Sequence, residues 1–294
     1  MMELDVLIPY YGDPDYLMRA VHSVRALVDT DWRLVIVEDC YPDGPAVEKR
    51  IAELGDDRIV YHRNESNLGT AGNHFRCVQL AERERFVVMG ADDLLLPNYG
   101  SQLAELLERY PDAALVQPGV RVIDETDQPF LPLPDRVKAL AGPGKKETEL
   151  LGEAAAVSLL RGNWLYTPAI TYRRDLTAHL PFRAGTDAVH DLGLVVDVLL
   201  QGGSLVIGEE PAFQYRRHRA GHSSSAAKTG QRFEQERDYF TQIEAELRER
   251  GWHQAARAAK RRLFSRLNAL TQLPGAVASG QGAAVRTLLG HALR

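Results

Sequence analysis

The first 110 residues alternate short apolar runs with longer amphipathic ones, and this alternation restricts the fold more than any other feature of the chain. Runs at 5–10 (DVLIPY), 34–39 (LVIVED), 59–63 (IVYHR) and 86–90 (FVVMG) read as strands, and 114–122 as another. Between them, 14–27, 44–54, 72–82 and 99–110 have helical spacing. In the first, Leu17, Val21, Val24 and Leu27 recur every three or four residues. Strands alternating with helices make βαβ units, so the pattern predicts an α/β fold with a mostly parallel sheet covered on both faces. Ligands of such sheets sit beyond the carboxyl ends of the strands. The residues that end these runs are therefore where chemistry is expected.

Composition narrows the class. The chain has 294 residues, 45% hydrophobic and 26% charged, which are globular values compatible with one large domain, or one domain and an appendage. Only two cysteines occur, Cys40 and Cys77; both read as structural, and a reducing, cytoplasmic setting is expected. The opening MMELDVLIPYYGDPD lacks the basic stretch of a signal peptide, and no apolar run approaches the roughly 20 residues of a membrane span. Net charge is −5, unevenly spread: residues 251–294 hold seven basic and no acidic residues, which leaves −12 on the first 250. An acidic body argues against a nucleic-acid partner, because phosphate contacts need a basic face.

After residue 123 the alternation stops. Residues 124–144 read as an irregular loop, helices return at 153–160 and 189–202, and strands are expected at 169–172, 204–209 and 213–217. From residue 232 two or three helices run to the end, with the best boundary within 218–230. The expected organisation is a domain over 1–225, with halves 1–122 and 123–225, and a helical extension over 226–294.

The first strand ends in Pro-Tyr-Tyr-Gly-Asp-Pro, so neither a dinucleotide glycine turn nor a Walker lysine loop is available to hold phosphates. The chemical candidate is Gly90-Ala91-Asp92-Asp93 at the end of the fourth strand. Adjacent carboxylates repel unless a cation sits beside them, and hard oxygen donors suit Mg²⁺ or Mn²⁺ with substrate phosphates completing the shell. A helix cap is the competing role for such aspartates. A second acidic strand end, Glu38-Asp39, brings further carboxylates to the same crevice.

Six segments in order then resemble the family 2 glycosyltransferases of the GT-A fold. They are VLIPYYGDPDYLMRAVHSV, VIVEDCYPDG, RNESNLGTAGN, VVMGADDLLLP, PFRAGTDAVHDLGLVVDVLLQGG and YRRHRAGHSSS, spread over roughly residues 4–225. The resemblance implies a nucleotide-sugar donor (UDP-, dTDP- or GDP-linked), a saccharide or lipid-linked acceptor and a divalent cation, Mn²⁺ or Mg²⁺. It further implies that Pro9, Tyr11, Glu38, Asp39, Arg63, Asn67 and Asp92 line the nucleotide pocket, with Asp92, Asp93 and His218 at the metal. Asp191 would be the general base of an inverting transfer, Arg216 and Arg217 would face the diphosphate, and Trp164 and His190 the acceptor.

The chain departs from the family pattern at three places. Gly90 stands where the metal motif usually begins with Asp, Glu38 replaces one Asp of the nucleotide motif, and His190 replaces the first carboxylate of the pair at the base. Each site also has a plainer role. Asp191 could cap a helix, His190 could pack, the basic run at 216–219 could be solvated, and Trp164 could be core. A catalytically silent nucleotide-sugar-binding protein of the same fold and a nucleotidyltransferase remain the alternatives. In the tail, Trp252, Ala256, Ala259, Leu263, Leu267 and Leu270 fall on one helical stripe flanked by basic residues. Such a stripe suits either peripheral contact with an anionic membrane or packing on the domain or in a homodimer.

Overall fold

A computed structural model of the chain describes residues 1–144, 146–181, 183, 185, 187–218 and 231–293, with backbone only at 133, 134, 137, 139 and 231. The alternation of the first half folds as β1 (Met2–Tyr10), α1 (Pro14–Arg25), β2 (Thr30–Glu38), α2 (Gly44–Ala52), β3 (Ile59–Arg63), α3 (Gly69–Leu80) and β4 (Arg85–Val88). These four strands pair in parallel in the order β3-β2-β1-β4. Local chemistry sets the helix ends: Asp13 accepts from the Asp15 N–H at 2.8 Å, Pro14 follows it, and Leu17, Ala20, Val21 and Val24 form the buried stripe of α1.

The second half extends the same sheet. After β5 (Leu94–Leu95) and α4 (Tyr99–Arg109) come β6 (Leu115–Ile123), α5 (Leu133–Ala141), β7 (Thr148–Leu151), α6 (Gly152–Arg161), β8 (Thr171–Arg173), α7 (Arg174–Thr177), α8 (His190–Leu200) and β9 (Ser204–Arg216). The sheet continues from β4 through β8, β6 and β9 to β5, while β7 pairs with β9. Strand β8 is antiparallel to both β4 and β6, and β9 is parallel to β6. The carboxyl ends of β1–β4, β6 and β9 therefore share one edge, and the start of β8 lies there too. That edge collects the residues from positions 10, 38, 63, 90–93, 124, 167 and 216–218.

Several expectations are corrected. The stretch 124–144, read as irregular, contains α5. The two strands expected at 204–209 and 213–217 are one, β9, whose pairing with β6 shifts register around Gly119. A Cβ at Gly119 would stand 2.5 Å from the Glu209 carbonyl oxygen, so only glycine fits that close crossing. The tail holds four helices, not two or three: α9 (Gln231–Glu249), α10 (His253–Arg261), α11 (Leu263–Ala278) and α12 (Gly282–Leu293). Of the expected boundary at 218–230, residues 219–230 lie outside the described residues.

Two apolar layers cover the sheet. One packs α1, α2 and α4 against Leu4, Val6, Ile8 and Ile36; the other packs α3, α6 and α8 against Leu7, Val35, Phe86 and Leu115. The second layer also includes Tyr239 and Ile243 of α9 and Ala255 and Ala259 of α10, so these helices pack on the same core as α3, α6 and α8. α11 and α12 build a small separate cluster with Phe233 of α9, around Ala269 and Leu288.

Candidate functional site

On the nucleotide side, the end of β1 places a half-buried Pro9 beside a buried Tyr10 and an exposed Tyr11. The Tyr10 hydroxyl donates to the Gly12 carbonyl at 2.9 Å, and Tyr11 meets Tyr41 edge-on with ring centroids 5.6 Å apart. Glu38 is fully buried. One of its oxygens accepts from the Tyr41 N–H and the other pairs with Arg63 Nη1 at 3.1 Å, leaving the rest of the Arg63 side chain toward solvent. Gly44 makes room for that pair, because a Cβ there would run into both partners.

Asp39 does not present a free carboxylate to a base or ribose. One oxygen accepts from Asn64 Nδ2 at 2.9 Å and the Leu68 N–H at 2.8 Å, and the other accepts from the Gly69 N–H at 2.9 Å. It thereby satisfies open donors at the start of α3, where an anion is also favoured by the helix dipole. Asn67 Nδ2 closes the same turn onto the Asp39 carbonyl at 2.9 Å. Cys40 makes the turn with a left-handed φ of 57°.

At the end of β4 the two aspartates diverge. Asp92 keeps its carboxylate 38% exposed, with Oδ2 2.6 Å from His218 Nε2. Asp93 is turned inward and accepts from the Arg216 N–H at 2.8 Å. Burial first, and then the Asp92 charge, push its carboxyl well above the usual carboxylate range. Asp93 is thus a buried anchor and not an exposed metal ligand, contrary to expectation. Gly90 fits this corner because a Cβ would stand 2.7 Å from one Asp93 oxygen and 2.9 Å from one Asp92 oxygen.

The two arginines are also corrected. Arg216 is buried: its Nε donates to the Asp92 carbonyl at 2.7 Å, and Nη1 donates to the Asp124 carbonyl at 2.6 Å and pairs with Asp127 Oδ1 at 2.6 Å. Its guanidinium lies over the Tyr16 ring, 5.0 Å from the centroid. Arg217 forks onto Asp135 with two bonds of 3.0 Å, so its charge is met within the protein.

Around α8 lies the second carboxylate. Asp191 Oδ2 accepts from Thr167 Oγ1 at 2.8 Å and Oδ1 from the Leu192 N–H at 2.7 Å. Burial would raise its pKa, but His190, those two donors and Lys138 outweigh burial and hold the carboxyl below its ordinary value. His190 sets Nδ1 2.8 Å from the Asp187 carbonyl and its ring against His74, centroids 4.9 Å apart. Burial, with His190 adding, depresses His74 to about 3, so its ring is neutral at pH 7. Burial likewise brings Lys138 down to about 8; its Nζ donates to the Leu165 carbonyl at 2.8 Å. Trp164 is 5% exposed and donates from Nε1 to Ser158 Oγ at 3.1 Å, which makes it core and not a sugar platform.

A continuous polar layer links the two carboxylate sites. Tyr166 donates to Asp135 at 3.0 Å and contacts the Tyr215 ring at 5.2 Å. Burial pushes the Tyr215 hydroxyl up to about 12, with Arg217 opposing and Asp93, Asp92 and Asp135 adding. Tyr41, His74, Asp135, Lys138, Tyr166 and Thr167 carry no motif of their own, and the sequence reading missed them. Only position could have found them: Tyr41, Tyr166 and Thr167 flank strand ends, Asp135 and Lys138 sit in the helix hidden within 124–144, and His74 lies on α3.

Among the described residues, no group of three or more His, Cys, Asp or Glu side chains is arranged to hold a metal. The donors present at the strand edge are Asp92 and His218, a carboxylate and an imidazole in contact. They fit one side of a Mn²⁺ or Mg²⁺ shell whose remaining positions are filled by phosphate and water.

An α/β sheet mixed in this way, mostly parallel and with its acidic residues at the carboxyl edge, is a GT-A fold. Residues 5–167, over half of the chain, match the Glycosyl transferase family 2 model, and the chain belongs to that family. An uncharacterized glycosyltransferase of Methanocaldococcus jannaschii is 29% identical over 42% of this chain and 43% of its own length. A protein of Escherichia coli strain K12, named as a candidate colanic acid biosynthesis glycosyl transferase (WcaA), is 26% identical over 32% of this chain and 34% of its own. These matches span less than half the length of either relative. The crystal structure of S. aureus TarS 1–349 in complex with UDP-GlcNAc superposes with a TM-score of 0.66 at 16% identity, covering 90% of this chain and 73% of that one.

Proposed function

We propose that this chain transfers a sugar from a nucleoside-diphosphate sugar to an acceptor hydroxyl with inversion at the anomeric carbon. One observation carries the reading. Of the paired acids at the strand ends, Asp92 alone stays open, beside His218, on the same sheet edge that holds Asp191. Tyr11, Tyr41 and Arg63 line the nucleotide side of that edge. Donor chemistry is supported by the TarS complex with UDP-GlcNAc, and a polysaccharide or glycolipid acceptor by the name of the E. coli relative.

In this mechanism Asp92 and His218 would hold the divalent cation, which would supply positive charge to neutralise the departing diphosphate. Arg216 fixes the Asp92 backbone and so keeps its carboxylate aimed outward. Asp191 takes the acceptor proton as the new bond forms. Thr167 and the Leu192 N–H each occupy one of its oxygens and leave a lone pair on both. Lys138 and His190 keep it ionised, while neutral His74 adds no competing charge.

The test is calorimetric titration of UDP, GDP and dTDP with and without Mn²⁺, followed by product analysis with the sugar of whichever nucleotide binds. Mn²⁺-dependent binding and release of free nucleoside diphosphate with an inverted glycoside are the expected results. Pyrophosphate release would replace the proposal with a nucleotidyltransferase. Binding without turnover on any saccharide or lipid-linked acceptor would replace it with a binding protein.

A further inference from the structure

The stripe read from the sequence over residues 252–270 is not one helix. Arg262 adopts a left-handed φ of 44° and breaks it. Trp252, Ala256 and Ala259 turn into the domain core, whereas Leu263, Leu267 and Leu270 emerge on the far side of the break. On α11 these three are joined by Val277 and are 44–63% exposed. Steps of three, four and seven residues put all four within about a quarter-turn of the helix. The opposite side of α11 buries Ala269 and Ala276.

The hairpin of α11 and α12 is held without help from this stripe. The Phe264 ring packs against Gly162, where a Cβ would stand 2.7 Å from it. Ser265 Oγ bonds Glu236 of α9 and lies 2.7 Å from His291 Nε2 of α12. The apolar stripe is therefore fixed in place and left to water.

Charge identifies the occupant. Residues 251–294 carry seven basic and no acidic side chains. Arg257, Lys260 and Arg261 form an exposed face of α10 just ahead of Leu263, and Arg286 shares the outer side of α12 with the exposed Leu289 and Leu293. Two copies of this chain joined through such a face would bring like charges together. A nucleic acid would answer the charge and leave the leucines wet. An anionic bilayer answers both, taking the leucines below the headgroups and the cations at them.

We propose that the α11–α12 hairpin docks the protein on an anionic lipid surface. The hairpin is seated beside the segment that leads to Thr167, with the Phe264 ring on Gly162. Arg232 and Glu236, in the first turns of α9 that hold the hairpin, form an ion pair at 2.9 Å. Docking there would present a lipid-linked hydroxyl to Asp191, a consequence that rests on the proposed transferase reading; the docking itself does not.

The experiment is flotation of the full chain with vesicles of phosphatidylcholine alone and of phosphatidylcholine with one-third phosphatidylglycerol. It is run at about 0.1 M and about 0.5 M salt, since screening shortens with ionic strength. Recovery with the anionic vesicles only, reduced at the higher salt, is expected. Leu263→Gln/Leu267→Gln/Leu270→Gln should lower partitioning about tenfold or more, and Lys260→Glu/Arg261→Glu similarly, with unchanged melting curves and nucleotide titrations. No recovery with anionic vesicles, wild-type recovery of the triple-leucine variant, or a dimer in sedimentation that this variant dissolves would each overturn the proposal. Because flotation needs no donor, failure of the transferase reading leaves this result readable.

Discussion

Glu38-Asp39 after β2 and Asp92-Asp93 after β4 are the same device in sequence: two neighbouring acids at the carboxyl end of a parallel strand. The fold uses them in opposite ways. Both members of the first pair are buried and consumed by internal partners, Arg63 and the Tyr41 N–H for Glu38, and Asn64 with the start of α3 for Asp39. In the second pair only Asp93 is consumed, and Asp92 stays open. A carboxylate already accepting three hydrogen bonds organises backbone, while one with solvent access and a single imidazole neighbour is free to meet a ligand. Saturation of lone pairs, not the identity of the residue, separates architecture from chemistry here.

The largest effect is expected at the third acid, Asp191, which resembles Asp92 in having unused lone pairs. Asp191→Asn should lower kcat by roughly 10²–10⁴ while leaving nucleotide affinity intact, as read by steady-state kinetics beside calorimetry. Near-full turnover in this variant would remove Asp191 from the mechanism and extend the saturated class to it. Next comes Asp39→Ala, which strands the Leu68 N–H and one N–H of the Asn64 amide, and leaves the Gly69 N–H only its 3.1 Å bond to Asn67 Oδ1. Urea unfolding should show a loss of about 2–4 kcal/mol. If stability instead held and nucleotide binding vanished, Asp39 would belong with the open carboxylates after all.

Asp92→Asn should do the reverse. Nucleotide affinity in Mn²⁺ is expected to fall roughly ten- to a hundredfold, about 1.4–2.7 kcal/mol, with unfolding free energy unchanged within about 0.5 kcal/mol. The smallest effect concerns His74, which burial holds neutral beside Asp191. Its folded pKa of about 3 lies below the unfolded value of 6.5, so the unfolded chain takes up the proton first as pH falls. Stability is then fully present above pH 6.5 and drains away toward pH 3. Because the residue is half-buried, solvent trims the expected loss to about 1 kcal/mol by pH 5, and His74→Gln should flatten that slope in urea melts.

The parallel half of the sheet was legible in the sequence because its strands are short runs, apolar and buried in β1, β2 and β4, that alternate with amphipathic helices. What hides is set by tertiary contact. The register shift between β6 and β9 at Gly119 depends on a crossing backbone, and the break at Arg262 interrupts an unbroken helical pattern. The same limit applied at the site. Asp92, His218 and Asp191 could be proposed from their motifs, yet nothing local announces that Arg216 faces inward, that Asp135 neutralises Arg217, or that Trp164 is covered. Lys138 escaped because its helix lies in a stretch whose prolines and glycines read as loop.

Strand β9 slots between β6 and β5, strands made some 80 to 110 residues earlier, and its last residue pins the loop that carries Asp92. A nascent chain can therefore pair β1 to β4 early, from neighbouring segments, yet the proposed cation corner at Asp92 stays unassembled until residue 216 returns to the sheet. Synthesis order and contact order thus make catalytic competence a late event, reached after the apolar layers around the first four strands can close. A chain stopped before β9 would lack the Arg216 bonds that fix the Asp92–Asp93 loop, so on the proposed mechanism a partial product of translation would have no means of splitting the donor.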